Sequence, residues 1–216
     1  MIVYALIRKD FCAQTKVTAY YLIFVVALLA LWMNQGFVTW ALYALGATMI
    51  SMAPIFAALS YDDKSGGELI AILPVSRGKI VIAKYISSLI FMIFAMVFIF
   101  ISTLIIGLFI ESGSGIRAHF VSIGFVVAGL CFFFAIVFPC YYWLGFQRLS
   151  YMYTALVVLF GAGLVALYQS DFGHWLVRYL ADMSIVVLAG VLLVISIVAY
   201  AVSLCCSLRI FAKKDV

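Results

Sequence analysis

Residues Ile86 to Ile110 read ISSLIFMIFAMVFIFISTLIIGLFI, an apolar run without a single charged side chain. A helix needs about 20 apolar residues to cross the hydrocarbon core of a bilayer. The strands of a membrane β-barrel are shorter and alternate apolar with polar residues. The length and continuity of this run therefore predict a transmembrane α-helix.

The rest of the chain has the same character. Of its 216 residues, 69% are hydrophobic and only 10% are charged, and the mean hydropathy is +1.29. A soluble domain is about half apolar and about a quarter charged, and a chain of this length could not bury so much apolar surface in water. We predict an all-α polytopic membrane protein with six transmembrane helices. The six stretches are Val17–Met33, Phe37–Ser60, Lys84–Ile110, Ala118–Trp143, Ser150–Tyr168 and Met183–Leu208.

Basic residues concentrate on one side of this six-span arrangement. If both termini are cytoplasmic, the residues on the inner side are Arg8, Lys9, Lys16, Lys64, Arg77, Lys79, Lys84, Arg148, Arg209, Lys213 and Lys214. Only Arg117 and Arg178 then lie outside. Because cytoplasmic loops carry the excess of Lys and Arg, we predict that both termini face the cytoplasm. The net charge of +5 fits an anionic inner leaflet and requires no nucleic acid.

Groups that drive chemistry are missing from the predicted spans. Every Asp, Glu, Lys and Arg lies in a loop, a tail or the extreme end of a span, whereas ion-coupled carriers usually keep ionisable groups inside the membrane. The sequence contains no catalytic motif, no Walker-type loop and no metal-binding spacing, and its five cysteines form no CxxC pair. We predict no catalytic residue, no metal site and no directly bound cofactor. Such a protein is passive, structural or driven by another subunit.

One long cytoplasmic loop, residues 61–83, separates the second and third spans. Gly66-Gly67 permits a sharp turn, Glu68 to Leu73 fits a short helix, and Pro74 ends that helix. Ser76 is a suitable N-cap for a helix that continues into the third span. The apolar side chains between Glu68 and Pro74 indicate a partner protein, although an ordinary connector anchored at the headgroups remains an alternative.

Four stretches of the sequence resemble one family. They are Lys9-Asp10-Phe11, Tyr61-Asp62-Asp63-Lys64, Leu73-Pro74-Val75-Ser76-Arg77 followed by Ile80-Val81, and Lys84-Tyr85. Together with the length, the six spans and the loop, they resemble permease subunits of ABC-2 type transporters across the whole chain, 1–216, as a single transmembrane domain. The resemblance implies a bacterial plasma membrane protein and a non-catalytic subunit. The implied partners are a cytoplasmic ABC ATPase in two copies, which binds the ATP and Mg, and a second permease copy or paralogue.

The resemblance also implies two functional segments. A cytoplasmic coupling helix that docks on the ATPase would lie at about Gly67–Leu73, and its predicted contact residues are Gly67, Glu68, Leu69, Ile70, Ile72, Leu73 and Pro74. An N-terminal amphipathic interface helix would cover residues 1–16. Val3, Tyr4, Ile7 and Phe11 recur on one helical face of that segment, which fits the interface helix. A poorly ordered basic tail is the alternative.

Three further features concern the transport pathway. Residues 169–182 are aromatic and apolar, and the resemblance implies a re-entrant or interfacial segment on the outer side. Pro54 and Pro139 lie toward the inner ends of their spans, where proline bends a helix. These bends are either gate kinks or tolerated packing kinks.

We therefore predict the membrane subunit of an ATP-driven exporter. Walls rich in Phe and Tyr favour a hydrophobic or amphipathic cargo, with a peptide toxin or antimicrobial peptide ahead of a lipid or a drug. The alternatives are a passive channel or secondary carrier, and a non-transporting scaffold or sensor partner. A polar pore would have to be built from Thr48, Ser51, Ser102, Thr103 and Thr154.

Overall fold

A computed structural model of the chain describes residues 2–33, 39–64, 76–109, 116–155 and 184–213. Apart from single residues at 76, 145 and 184, all of these are helical, which confirms the all-α prediction for the described part. The helices are α1 (Ile2–Met33), α2 (Thr39–Lys64), α3 (Arg77–Phe109), α4 (Ile116–Leu144), α5 (146–155) and α6 (Ile185–Lys213).

Four of the six predicted spans are confirmed as helices long and apolar enough to cross a membrane. Their apolar parts are Tyr43–Asp63 in α2, Gly78–Ile106 in α3, His119–Leu144 in α4 and Ile185–Lys213 in α6. The first predicted span lies inside α1, where the apolar part Thr18–Leu29 is shorter. The fifth, Ser150–Tyr168, is described only as far as 155, so the number six stays a prediction.

The N-terminal segment is not separated from the first span. α1 runs without a break through 32 residues, which makes it about 48 Å long, against a hydrocarbon core of about 30 Å. The predicted interface segment is therefore the beginning of a longer helix. Its place in the membrane interface stays a prediction.

The helix before the predicted loop reaches further into it than the sequence suggested, whereas the helix after it begins directly after the predicted N-cap. α2 continues through Tyr61-Asp62-Asp63 to Lys64, and α3 already begins at Arg77. The amide of Lys79 donates to the carbonyl of Ser76 at 2.9 Å, so Ser76 stands at the N-cap position as predicted. Of the predicted loop 61–83, only the part between these helices is left as a connection.

α3 occupies the middle of the described helices. It packs against α1, α2 and α6 and touches α4, whereas α4 packs most extensively against α6 and also against α2. The bulkiest fully buried side chains include Tyr43, Tyr85, Phe134 and Phe138. Lipid offers little hydrophobic incentive for helices to associate, so close packing and interhelical hydrogen bonds hold such a bundle together.

Side chains of α1 and α3 approach α2 closely at Gly46. A Cβ atom at this position would lie 3.0 Å from Cδ1 of Ile99 and 3.2 Å from Cγ1 of Val25. Glycine thus lets α2 pack directly against side chains of both neighbouring helices, as small residues commonly do between membrane helices.

Replacement of Gly46 by Leu tests this contact. We expect Gly46→Leu to lower the stability by about 1–3 kcal/mol, because a well-packed site must open to admit the new carbons. The apparent melting temperature of the purified chain in detergent measures the effect. Gly190→Leu is the matched control, since a Cβ at Gly190 meets nothing within 4 Å. Equal losses in both variants would contradict the assignment of a close approach to Gly46.

Candidate functional site

Three helices meet at a buried carboxylate near the end of α2. Oδ1 of Asp62 lies 2.9 Å from Nζ of Lys9 on α1, and Oδ2 lies 2.7 Å from Nζ of Lys84 on α3. The side chain of Asp62 is 5% exposed and that of Lys84 is 9% exposed, whereas Lys9 is 43% exposed. One carboxylate therefore joins α1, α2 and α3, with its shorter and more deeply buried contact to α3.

Burial makes this arrangement energetically demanding. A carboxylate removed from water loses several kcal/mol of solvation, which only close counter-charges and hydrogen bonds can offset. Both oxygens of Asp62 meet an ammonium group, so each recovers part of that loss. Because the contact between Asp62 and Lys84 is short and shielded from water, salt screens it less than a surface ion pair.

The neighbouring carboxylate of Asp63 points to a different part of the bundle. Its Oδ1 accepts a hydrogen bond of 3.4 Å from the backbone amide of Phe146, the first residue of α5. A carboxylate at a helix N-terminus is favoured by the helix dipole and by the unpaired amides of the first turn. Asp63 therefore connects the end of α2 to the start of α5.

Gly145 makes this connection possible. It ends α4 with a φ of +80°, a conformation that glycine adopts at no steric cost. Its amide donates to the carbonyl of Tyr141 at 2.9 Å, and its own carbonyl accepts from Leu149 at 3.2 Å. The chain thus passes from α4 to α5 at one residue, beside the carboxylate of Asp63.

We call Lys9, Asp62, Asp63 and Lys84 the charged cluster. It joins α1, α2, α3 and α5, and α2 ends two residues after Asp62.

The opposite end of the bundle carries a polar contact of another kind. The hydroxyl of Tyr43 lies 3.2 Å from Nδ1 of His119 and 3.3 Å from the hydroxyl of Thr103, and all three side chains are buried. The rings of Tyr43 and Phe100 meet the imidazole edge-on. These contacts join α2, α3 and α4 where the charged cluster does not reach.

The family model described as ABC-2 family transporter protein matches residues 5–212 of the chain. The chain belongs to the ABC-2 family. This confirms the family inferred from the sequence. No curated protein matches the chain. ABC-2 permeases are in general non-catalytic transport subunits that work with an ABC ATPase.

All seven predicted coupling residues lie outside the described residues. These are Gly67, Glu68, Leu69, Ile70, Ile72, Leu73 and Pro74. Of the predicted interface face, Ile7 is half-buried, and the side chains of Val3, Tyr4 and Phe11 are not among those described. The predicted outer segment 169–182 is likewise outside the described ranges. These assignments stay predictions for this permease.

The two prolines do lie in described helices of the permease. Pro54 is buried inside α2, and Pro139 is half-buried inside α4. Each lacks the amide hydrogen that would bond the carbonyl four residues earlier. A role in gating stays a prediction. Among the described residues, no group of His, Cys, Asp and Glu side chains could hold a metal ion.

Sequence reasoning did not identify the charged cluster of this permease. It placed Asp62 and Asp63 in the cytoplasmic loop and counted Lys9 and Lys84 only among the basic residues of the inner side. The available signal was an acidic pair and two lysines, all predicted on the same side of the membrane. That arrangement permits ion pairs between the segments but does not say which residues meet.

The charged cluster predicts unequal effects of its members on stability. Asp62→Asn removes the carboxylate that Lys84 meets at 2.7 Å, and we expect a loss of about 3 kcal/mol or more, as for other buried ion pairs. Lys9→Met should cost less than about 1 kcal/mol, because the Lys9 side chain is 43% exposed. Unfolding by denaturing detergent measures both. A larger loss for Lys9→Met would show that Asp62 is held mainly by α1.

Proposed function

We propose that the chain is the membrane-spanning permease subunit of an ATP-driven exporter in a bacterial plasma membrane, with both termini in the cytoplasm. The observation that carries the proposal is the charged cluster. It brings the end of α2, the start of α3 and the N-terminal part of α1 together where the connection between α2 and α3 leaves the bundle. In an ABC-2 permease, this is a suitable place for force from an ATPase to enter.

The proposed mechanism begins at the coupling helix, about Gly67–Leu73, which docks on the partner ATPase. When ATP closes the ATPase subunits, they push on this helix and displace the two ends of the connection. Because Asp62 and Lys84 hold α2 and α3 together at 2.7 Å, both helices move as a pair and carry α1 through Lys9. The free energy comes from the different affinity of the ATPase for ATP in the two states.

The proposed assembly contains two permeases and two ATPases. The ATPase copies supply the binding sites for ATP and Mg, and the second permease is a copy of this chain or a paralogue. The permease itself contributes transport without catalysis.

The cargo that fits best is hydrophobic or amphipathic, with a peptide toxin or antimicrobial peptide preferred over a lipid or a drug. A cavity of about 990 Å³ lies between α4, α5 and α6, and its walls include Phe125, Phe132, Phe133 and Tyr153. Its size and apolar walls are typical of sites that bury most of a small hydrophobic ligand. This cavity supports an apolar cargo group more than an ionic one.

A passive channel or secondary carrier has weaker support. Four of the five hydroxyl residues that would line a polar pore donate to backbone carbonyls of their own helices. These residues are Thr48, Ser51, Thr103 and Thr154. A hydroxyl engaged in this way has no hydrogen left for a passing anion, and Ser51 and Thr103 are buried. A non-transporting scaffold or sensor partner is the other alternative, and it would not need to alter the activity of an ATPase.

Co-purification separates these possibilities. We expect the tagged chain, solubilised from membranes of its host, to retain an ATPase whose hydrolysis rate changes when the permease is present. Transport into vesicles by the purified chain alone, without nucleotide or a second protein, would refute the proposal. An ATPase that never binds the chain, or whose rate is indifferent to it, would also refute it.

Reversal of charge at Glu68 tests the coupling helix itself. We expect Glu68→Arg to reduce the amount of ATPase retained, because the substitution reverses a predicted polar contact, while the yield of folded permease stays unchanged. Arg148→Glu is the matched control, since Arg148 is an exposed residue of α5 outside the predicted coupling helix. Unchanged retention and transport in Glu68→Arg would show that the coupling helix lies elsewhere.

A further inference from the structure

Hydroxyl groups connect α3 and α6 inside the bundle. The hydroxyl of Tyr85 on α3 lies 2.7 Å from Oγ of Ser203 and 2.8 Å from Oγ of Ser207 on α6. All three side chains are buried. A phenol hydroxyl can donate to one serine and accept from the other. Tyr85 therefore bonds to two consecutive turns of α6 at once.

The ring of Tyr85 is held separately from its hydroxyl. It packs on Phe138 of α4 at a centroid distance of 4.5 Å and meets the ring of Tyr200 edge-on at 5.1 Å. The hydroxyl of Tyr200 donates to the backbone carbonyl of Tyr85 at 2.8 Å and lies 2.6 Å from Oγ of Ser88. Loss of the Tyr85 hydroxyl alone would leave these ring contacts in place.

The residue before Tyr85 belongs to the charged cluster. Lys84 meets the carboxylate of Asp62 at 2.7 Å. Consecutive residues of an α-helix point about 100° apart, so one turn of α3 bonds α2 on one side and α6 on the other. α6 in turn contributes Leu192, Ile195 and Ser196 to the wall of the apolar cavity.

We propose that Tyr85 is the positioning residue through which the charged cluster sets the place of α6. Lys84 fixes the base of α3 on α2, and the Tyr85 hydroxyl fixes α6 on the same turn of α3. The role of Lys84 and Tyr85 in transport rests on the proposed function. In that role, a displacement of the connection between α2 and α3 is passed through Lys84 and Tyr85 to α6 and so to the cavity wall. The coupling between Asp62 and α6 does not depend on an ATPase, so it can be measured on the permease alone.

Hydrogen exchange of the α6 backbone, residues 203–213, tests the coupling in the full chain in lipid nanodiscs. Four proteins are compared: the native chain, Asp62→Asn, Tyr85→Phe and the double variant. Under native conditions, in which these amides exchange by local opening of α6 and not by unfolding of the bundle, we expect each single substitution to accelerate exchange about fivefold, the factor that corresponds to one net hydrogen bond. In the double variant we expect at most about a further twofold, because both substitutions break the same connection.

Two further variants control for folding and for the loss of a hydroxyl. The joint substitution of Ser203→Ala and Ser207→Ala removes the partners and should reproduce Tyr85→Phe. Tyr151→Phe removes a hydroxyl from an exposed side chain of α5 and should leave α6 unchanged. The proposal is overturned if Asp62→Asn does not alter exchange in α6, or if the effects of Asp62→Asn and Tyr85→Phe multiply. No ATPase is needed, so the result stands even if the proposed function fails.

Discussion

The ion pairs of Asp62 organise the described half of the molecule that contains α1, α2 and α3. A charged group so well shielded from water is tolerated only where opposite charges lie close to it. Asp62 is therefore committed to positions in which Lys84 and Lys9 can reach it, at 2.7 and 2.9 Å. That requirement fixes the axial register of the three helices, which apolar side chains in lipid define less sharply.

Two series of side-chain contacts run from this end of the bundle to the apolar cavity. Asp63 bonds the first amide of α5, and α5 places Leu149, Met152 and Tyr153 in the cavity wall. Lys84 and Tyr85 lead through α3 to α6, which forms another part of the wall. The adjacent residues Asp62 and Asp63 thus each begin a separate series of contacts, and both series contain hydrogen bonds or ion pairs between helices. Such contacts are directional, so they restrict the relative positions of the helices they join more narrowly than apolar packing alone.

The helices and their approximate limits could be predicted from the sequence, because an apolar run of this length satisfies its backbone hydrogen bonds in a membrane as an α-helix. The family followed from short stretches such as Leu73-Pro74-Val75-Ser76-Arg77. The charged cluster did not follow, since hydropathy treats Asp62 and Lys84 as the polar ends of separate spans and says nothing about which ends meet. The hydrogen bonds of Tyr85 with Ser203 and Ser207 could not be predicted either. Single hydroxyl groups are common in membrane helices and do not stand out in a hydropathy analysis. Partners more than 100 residues apart also leave no local sequence pattern.

The ion pairs and the packing distinguish two groups among the described helices, α1, α2 and α3 in one and α4 and α6 in the other, although α2 also packs against α4. α1, α2 and α3 pack against one another and share the charged cluster, whereas α4 packs most extensively on α6. Between the groups lie the Tyr85 hydroxyl bonds, the Asp63 contact, the contact of Tyr43 with His119 and aromatic packing such as Phe56 on Phe133. Neutral hydrogen bonds contribute only about 1 kcal/mol each, far less than a buried carboxylate loses without its counter-charges. The ion pairs of Asp62 therefore hold α1, α2 and α3 together more firmly than a neutral hydrogen bond joins α3 to α6.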